Sequence, residues 1–313
     1  MLWGVQRSAV WEQGFRGATQ ASAVLVVAAL VGVFALLMAD GLPALQRFGW
    51  GFLLATEWNP VTETFGALPA IYGTLVTSAI AMLLGVPAAF GIAFFINELC
   101  PHGLRPTLTV GIELLAAIPS IIYGMWGLFV LSPFLAAHVQ PTLTGLLGPL
   151  PGVGALFQGA PFGIGMLTAG LILAVMILPY VAAVARHVIG DVPPLLREAA
   201  FAVGATRWEV FRHVLVPYTS RGLLGGVMLG LGRALGETMA VTFVIGNAHQ
   251  VSASLLAPGT TISATLANEF TEAVGDIYLS SLLALGLILF VITFAVLAVA
   301  RLLLGRASPD AAS

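Results

Sequence analysis

The 313-residue chain contains no lysine; all twelve of its basic residues are arginine. A P-loop nucleotide site needs a lysine on the terminal phosphates, so this chain cannot supply one. If ATP drives it, another polypeptide binds the nucleotide. Cysteine is nearly absent as well. Cys100 stands alone, which excludes an internal disulfide and a cysteine-built metal cage; as an isolated thiol it is assigned no role. Charge is scarce: 8% of the residues are charged and 59% are hydrophobic, where a soluble domain carries about 25% charged residues. A water-soluble fold is not expected on that ground. The net charge of −2 says little, whereas the placement of the charges says much.

What is present is a series of long apolar runs. Six are long enough for a bilayer crossing: 18–39, 72–96, 107–131, 162–185, 223–246 and 279–304, each near the twenty or so residues that a crossing needs. Arg7 and Arg16 precede the first, as in a signal peptide. The run is longer than such a peptide's apolar core, and no small-residue cleavage site follows, so it is expected to remain as a span. Pro87, Pro119 and Pro179 fall within the second, third and fourth runs. There they are tolerated as kinks because neighbouring helices satisfy the freed carbonyls.

Orientation is expected to follow the arginines. Arg7, Arg16, Arg105, Arg186, Arg197, Arg207, Arg212, Arg221, Arg301 and Arg306 fall on one side. Arg47 falls on the other, with Asp40, Glu57, Glu63, Glu269, Glu272 and Asp276. Both termini are therefore expected in the cytoplasm. The outward connections differ: 132–161 is rich in proline and glycine and uncharged, as expected of an ordered cap or re-entrant segment. Residues 260–274 have helical spacing beside Asn268, Glu269 and Glu272. That predicts a short surface helix, resting on the membrane or serving as a docking surface.

Between the fourth and fifth runs lies a charged island, residues 191–217. Asp191 before Pro193 and Pro194 is expected to cap a first helix, and Ala- and Leu-rich sequence continues it. Gly204 is expected to stop it in a left-handed C′ position. Thr206 with Glu209 spells a capping box for a second helix through about Val216, with Pro217 after it. Ala199, Ala200, Gly204 and Ala205 are small, and Phe201, Trp208 and Phe211 are bulky and apolar. Small residues allow close approach and aromatics anchor in a partner's pockets. A hairpin lying on anionic headgroups is the simpler alternative, weakened because the turn is small and apolar.

The stretch "EAAFAVGATRWEVFRHVLVP" (198–217) resembles the EAA motif of ABC-importer permeases. Glu198, Ala199, Ala200, Gly204 and Pro217 match in identity and spacing, and Val214 and Val216 replace the usual Ile and Leu. The resemblance implies that the turn docks into a groove on an ATPase subunit and transmits its closure to the membrane helices. Glu198 faces a partner's basic group on that reading, or only the polar face of its own helix.

The fifth run carries charge inside an apolar stretch. Arg233 lies about twelve residues, or roughly 18 Å, beyond Arg221, near mid-membrane, and Glu237 follows on the same helical face. Such charges cost about 2.5–3.5 kcal/mol each on insertion scales and are expected to face protein or water. Either they form a structural pair, with the arginine first in the less favourable order, or Arg233 presents its planar fork to a passing oxyanion while Glu237 keeps that anion from binding too tightly. Intramembrane charges mark pathways by default. Thr238, Thr242 and Asn247 add polar groups beyond them. Glu113 is expected to pair with an arginine near the cytoplasmic boundary. Gly225, Gly226, Gly230, Gly232 and Gly236 are expected to form one face for close helix packing.

"GRALGETMAVTFVIGN" (232–247), "YGTLVTS" (72–78) and "ELLAAIPSIIYG" (113–124) resemble the permeases of phosphate ABC importers, on the PstC-like rather than the PstA-like side. The resemblance covers roughly residues 66–304. It implies an all-α integral membrane protein with six transmembrane helices, a MetI-like core and cytoplasmic termini. The organisation expected is a tail, first helix and outward loop over 1–65, a permease domain over 66–304 with coupling helices at 191–217, and a cytoplasmic tail at 305–313. The implied partners are a second, PstA-like permease subunit, an ABC ATPase dimer holding ATP and magnesium, an extracytoplasmic phosphate-binding protein and, through phosphate signalling, a regulator. Membrane lipid surrounds the assembly, nucleic acid has no part in it, and no cofactor or catalytic residue is expected in this chain. The implied location is a bacterial inner membrane. A permease for another oxyanion or small solute is the nearest alternative; the EAA spacing argues against an ATP-independent transporter, channel or sensor.

Overall fold

The computed structural model describes residues 2–305 and is mostly helical. The side chain of Arg7, together with Arg306 and the rest of the expected tail at 306–313, lies outside that description. Eleven helices carry the argument: α1 (Leu2–Phe48), α2 (Leu68–Leu99), α3 (Arg105–Ala117), α4 (Ser120–Leu147), α5 (Met166–Gly190), α6 (Pro194–Ala202), α7 (Arg207–Tyr218), α8 (Ser220–Gly236), α9 (Met239–Val244), α10 (Ile262–Glu269) and α11 (Asp276–Gly305). Segments of α1, α2, α4, α5 and α11 are each long and apolar enough to cross a membrane unaided. The strands β1 (Trp58–Asn59) and β2 (Thr64–Phe65) form a small antiparallel hairpin between α1 and α2.

Two expected spans are broken. The third separates into α3 and α4 at Ile118–Pro119, where both residues are extended. A proline disfavours helix in the residue before it, and here that preference prevails. The fifth separates into α8 and α9 at Glu237–Thr238; Glu237 has left helical geometry, with ψ of 130°. Glu237 is thus past the end of the helix that carries Arg233, not on its face.

Elsewhere proline fails to stop a helix. Pro133, Pro141 and Pro217 each follow, by two residues, a π-helical stretch: Gly127–Leu131, Leu135–Val139 and Phe211–Leu215. In an α-helix the ring collides with the carbonyl four residues back. Here the residue before each proline donates its N–H five residues back, as Ser132 does to Gly127 and Val216 to Phe211. The wider turn carries the offending carbonyl away from the ring. Helix α4 therefore runs through Pro133 and Pro141 to Leu147, and the expected cap or re-entrant segment over 132–161 shrinks to 148–161, with one 3-10 turn at Gly154–Phe157. Likewise α7 continues through Pro217 to Tyr218 rather than ending before it.

Helix α5 is central, and its Ile172, Leu173, Met176 and Ile177 are buried against α2, α4, α8 and α9. Close approach is real on one face of α8: a Cβ on Gly226 or Gly230 would stand 3.0 or 2.7 Å from Val184 or Val181 of α5. Gly225, Gly232 and Gly236 have open space instead, which corrects the expectation of a single glycine face. Val24, Val27 and Val31 of α1 and Phe294 of α11 are exposed. Apolar exposure on this scale suits lipid, not water.

Candidate functional site

At the arginine-rich end, α6 and α7 form a helix–turn–helix. Pro194 stands at the first helical position and Pro193 is the N-cap residue; Asp191 instead closes α5 and sits 3.6 Å from His187. The turn is a Schellman motif: Gly204 is left-handed (φ 88°), its N–H reaches the Phe201 carbonyl, and the Ala205 N–H reaches that of Ala200. Thr206 and Glu209 make both halves of the capping box. Glu198, Ala199 and Gly204 are exposed, Ala200 and Ala205 partly buried, and nothing lies within 4 Å of a Cβ built on Gly204. Of the aromatics, Phe201 and Trp208 are exposed, but Phe211 is buried against Phe94 of α2, ring centroids 4.6 Å apart. Phe211 is a core residue, not an anchor for a partner.

The two helix breaks meet. The carbonyls of Leu115 and Ala116, freed at the end of α3, accept hydroxyls from Tyr123 and Tyr180 at 2.8 and 2.7 Å. Over the Tyr180 ring, 4.7 Å from its centroid, lies the guanidinium of Arg233. Its Nη2 is 3.9 Å from one carboxylate oxygen of Glu237, whose other oxygen accepts the Ala240 N–H at 3.3 Å. The buried Nε of Arg233 has no acceptor among the described residues. A buried donor left unmatched costs about 1–3 kcal/mol, so the arginine is poised for one more acceptor. Beside the break opens a cavity of ≈ 450 Å³ lined by Gly236, Thr238, Ser263, Leu266 and Phe270. A larger groove of ≈ 620 Å³ between α1, α2 and α11 is apolar and offers no group to an anion.

The other polar groups of the fifth span divide. Thr238 adjoins the break and the cavity. Thr242 donates to the Thr238 carbonyl, and Asn247, left-handed at φ 50°, donates to that of Thr242, so the Thr242 hydroxyl and one Asn247 N–H are turned to α9 itself. Glu113, half exposed, stands 3.6 Å from Arg186. Sequence reasoning missed Tyr123 and Tyr180; two tyrosines in apolar runs were a signal, since a buried hydroxyl needs a partner.

At the opposite end, Glu269 gathers three donors: Trp58 Nε1 at 2.6 Å, Tyr278 Oη at 2.7 Å and His249 Nε2 at 2.7 Å. Helix α10, expected on the surface, is buried through Ile262, Ser263, Ala264 and Thr265. Its apolar spacing faces α2 and α11, not headgroups. Burial by itself would raise the Glu269 pKa, but the bonds from His249, Tyr278 and Trp58 outweigh it and hold the carboxyl below its ordinary value of 4.5. A depressed carboxylate contributes stability above its unfolded pKa, and loses it as pH falls through the folded one. Acidification below about pH 4.5 is therefore expected to loosen this end. In a thermal melt of the detergent-solubilised protein, Glu269→Gln should lower stability at neutral pH by on the order of 2 kcal/mol and flatten the acid limb. An unchanged acid limb would remove Glu269 as its source.

The family described as "Binding-protein-dependent transport system inner membrane component" matches residues 85–308. The chain is 58% identical over 302 residues to the phosphate transport system permease protein PstC of Mesorhizobium japonicum, covering 96% of this chain and 92% of that protein. It is 52% identical over 295 residues to the protein of the same description from Haemophilus influenzae, covering 94% of this chain and 93% of the other. Among solved structures, a bacterial alginate ABC transporter in complex with its pentasaccharide-bound periplasmic protein contains a chain with TM-score 0.59 and 20% identity, over 91% of this chain and 96% of that one. At that identity the likeness is one of fold.

Proposed function

Because the chain belongs to the family of binding-protein-dependent transport system inner membrane components, we propose that it is the membrane-spanning permease subunit of an ATP-driven importer of inorganic phosphate. The observation that carries the substrate is the identity of 58% and 52% to phosphate permeases over more than nine-tenths of the chain. Arg233 supports it, as a forked cation with an unmatched Nε at the meeting of two broken helices. Irregular backbone at membrane depth is tolerated only where it is buried in protein or lines a wet cavity.

The chain performs no covalent chemistry on this reading. The arginine-rich end faces the cytoplasm and the α6–α7 turn docks on an ATPase that binds ATP and magnesium. A binding protein delivers phosphate at the hairpin end, and a second, PstA-like permease subunit completes the pathway. The open glycine face of α8, Gly225, Gly232 and Gly236, is a surface on which such a second subunit can pack closely. ATP shifts the inward–outward equilibrium by favouring one arrangement of the docked pair. Arg233 holds the anion transiently, with Glu237 beside it to keep the guanidinium from becoming a trap.

The test is labelled phosphate uptake at low external concentration in cells lacking other phosphate carriers, with and without the chain, alongside sulfate and molybdate. Selective loss of phosphate uptake, restored by the wild-type chain, is expected. Loss of sulfate or molybdate uptake with phosphate untouched would overturn the substrate.

A further inference from the structure

Covalent connection ties the α6–α7 pair to α5 and α8 alone, yet the pair is also fastened to the end of α2. Glu98, in the last turn of α2, has a carboxylate side chain only 7% exposed, and its Oε1 lies 3.7 Å from Nε of Arg197 on α6. Arg207 of α7 donates to the Glu98 carbonyl at 2.7 Å. Arg197 also donates through Nη2 to the Ile189 carbonyl of α5 at 2.6 Å. The tip of α2 is itself braced, because Arg105 donates to the carbonyls of Asn97 and Cys100 while the Asn97 amide donates to that of Arg186. Helices α2, α5, α6 and α7 therefore meet around Glu98, whose carboxylate faces Arg197 and whose backbone carbonyl holds Arg207.

The contact is ill suited to stability alone. Neither Glu98 Oε1 nor Arg197 Nε has a hydrogen bond among the described residues, and an enclosed ion pair without one scarcely repays its desolvation. Apolar packing of Phe94, Ile189, Val210, Phe211 and Leu215 already seals the junction. A charged pair enclosed at 3.7 Å instead resists separation of α2 from α6, since parting the two would leave each charge buried alone. From Glu98, α2 runs the length of the molecule to Thr74, whose hydroxyl oxygen accepts the Ile262 N–H of α10 at 3.0 Å. At the same level a Cβ on Gly73 would collide with the Thr260 carbonyl, so α2 and the loop before α10 have no room to slide independently.

We propose that Glu98 is a positioning residue for energy coupling, which makes the second span move with the docked α6–α7 pair and carries that movement to the segment around α10. The proposal rests on the reading of α6–α7 as the ATPase-docking element.

The experiment uses the whole reconstituted transporter, with its ATPase, companion permease and binding protein. Phosphate moved per ATP hydrolysed is measured for wild type, Glu98→Gln, Glu98→Asp, Arg197→Gln and the double variant. Glu98→Gln should assemble and hydrolyse ATP, yet move about tenfold less phosphate per ATP, a typical coupling magnitude. Glu98→Asp should restore most of the ratio, and the double variant should be no worse than either single one, as for residues acting as a unit. A normal ratio in Glu98→Gln, or loss of assembly that Glu98→Asp does not rescue, would overturn the proposal. A second measurement does not depend on the substrate. Spin labels on Leu99→Cys and Leu195→Cys, in a Cys100→Ala background, report the separation of α2 from α6 in nucleotide-free and ATP-trapped states. A separation that stays fixed in wild type and broadens in Glu98→Gln is expected. A separation that changes with nucleotide in wild type would sink the proposal, even if the transporter carried another solute.

Discussion

Arg233→Gln is expected to abolish phosphate uptake while the transporter still assembles. Glutamine retains a donor but loses the charge, the fork and the stacking over Tyr180, 4.7 Å away. A charge-assisted hydrogen bond contributes about 1.5–3 kcal/mol, and a bidentate contact to an oxyanion makes two. Uptake should therefore fall by at least about a hundredfold. Assembly should survive because the neighbourhood is held by apolar packing: Ala234 is buried in the same cluster as Ile177, Ala240 and Val241. Glu237 keeps its bond from the Ala240 N–H, so its carboxylate is not left bare. The measurements are labelled phosphate uptake and recovery of the ATPase with the permease. The double variant Arg233→Gln/Glu237→Gln decides between the two readings of the pair. If the two charges only neutralise each other, removing both restores uptake; if Arg233 serves the anion, uptake stays lost.

Gly204→Trp should uncouple the transporter nearly completely without unfolding the helix pair. The position is left-handed, at φ 88°, with open space where a Cβ would go. A side chain there meets nothing in this chain and projects towards whatever docks on the turn. Left-handed backbone costs a non-glycine residue about 1–2 kcal/mol, which the capping box at Thr206–Glu209 and the buried Val210 and Phe211 are placed to withstand. Gly204→Ala separates strain from bulk, since alanine has the same backbone cost and little volume. The tryptophan variant should insert and retain less than about a tenth of transport, while the alanine variant keeps most of it. Equal damage from both would assign the effect to strain and remove the steric argument; full uptake with tryptophan would mean that the turn docks on nothing.

Most of the helical architecture was legible in the sequence because apolar runs of bilayer length have few other uses. The turn at Gly204 and the capping box were legible because their chemistry is local, set by residues three or four apart. What failed was proline. The rule that a helix ends before proline holds at Ile118–Pro119 but not at Pro133, Pro141 or Pro217, where a π turn two residues earlier makes room for the ring. That accommodation depends on the shift of a backbone hydrogen bond, which residue type does not signal. The break at Glu237 was invisible for a related reason: helical periodicity continues through it, and only the backbone reveals that Glu237 belongs to the start of α9. Tyr180 and Glu98 were missed because their roles depend on partners on other helices: Arg233, 53 positions further along, and Arg197, 99 positions further along.

The junction of α7 and α8 bends by 81° at Thr219. Its buried hydroxyl donates to the Leu215 carbonyl at 2.7 Å, while its own carbonyl accepts the Leu223 N–H at 2.9 Å, so the elbow is braced on both sides. From Arg207 to the elbow is roughly 18 Å, and from the elbow to Arg233 roughly 20 Å, at 1.5 Å per residue. Two stiff arms of nearly equal length at nearly a right angle form a bell crank. A push of about 3 Å on the outer tip, at right angles to its arm, would become a rotation of about 10° and a swing of about 3 Å at Arg233. Force is neither multiplied nor lost in that conversion; only its direction changes.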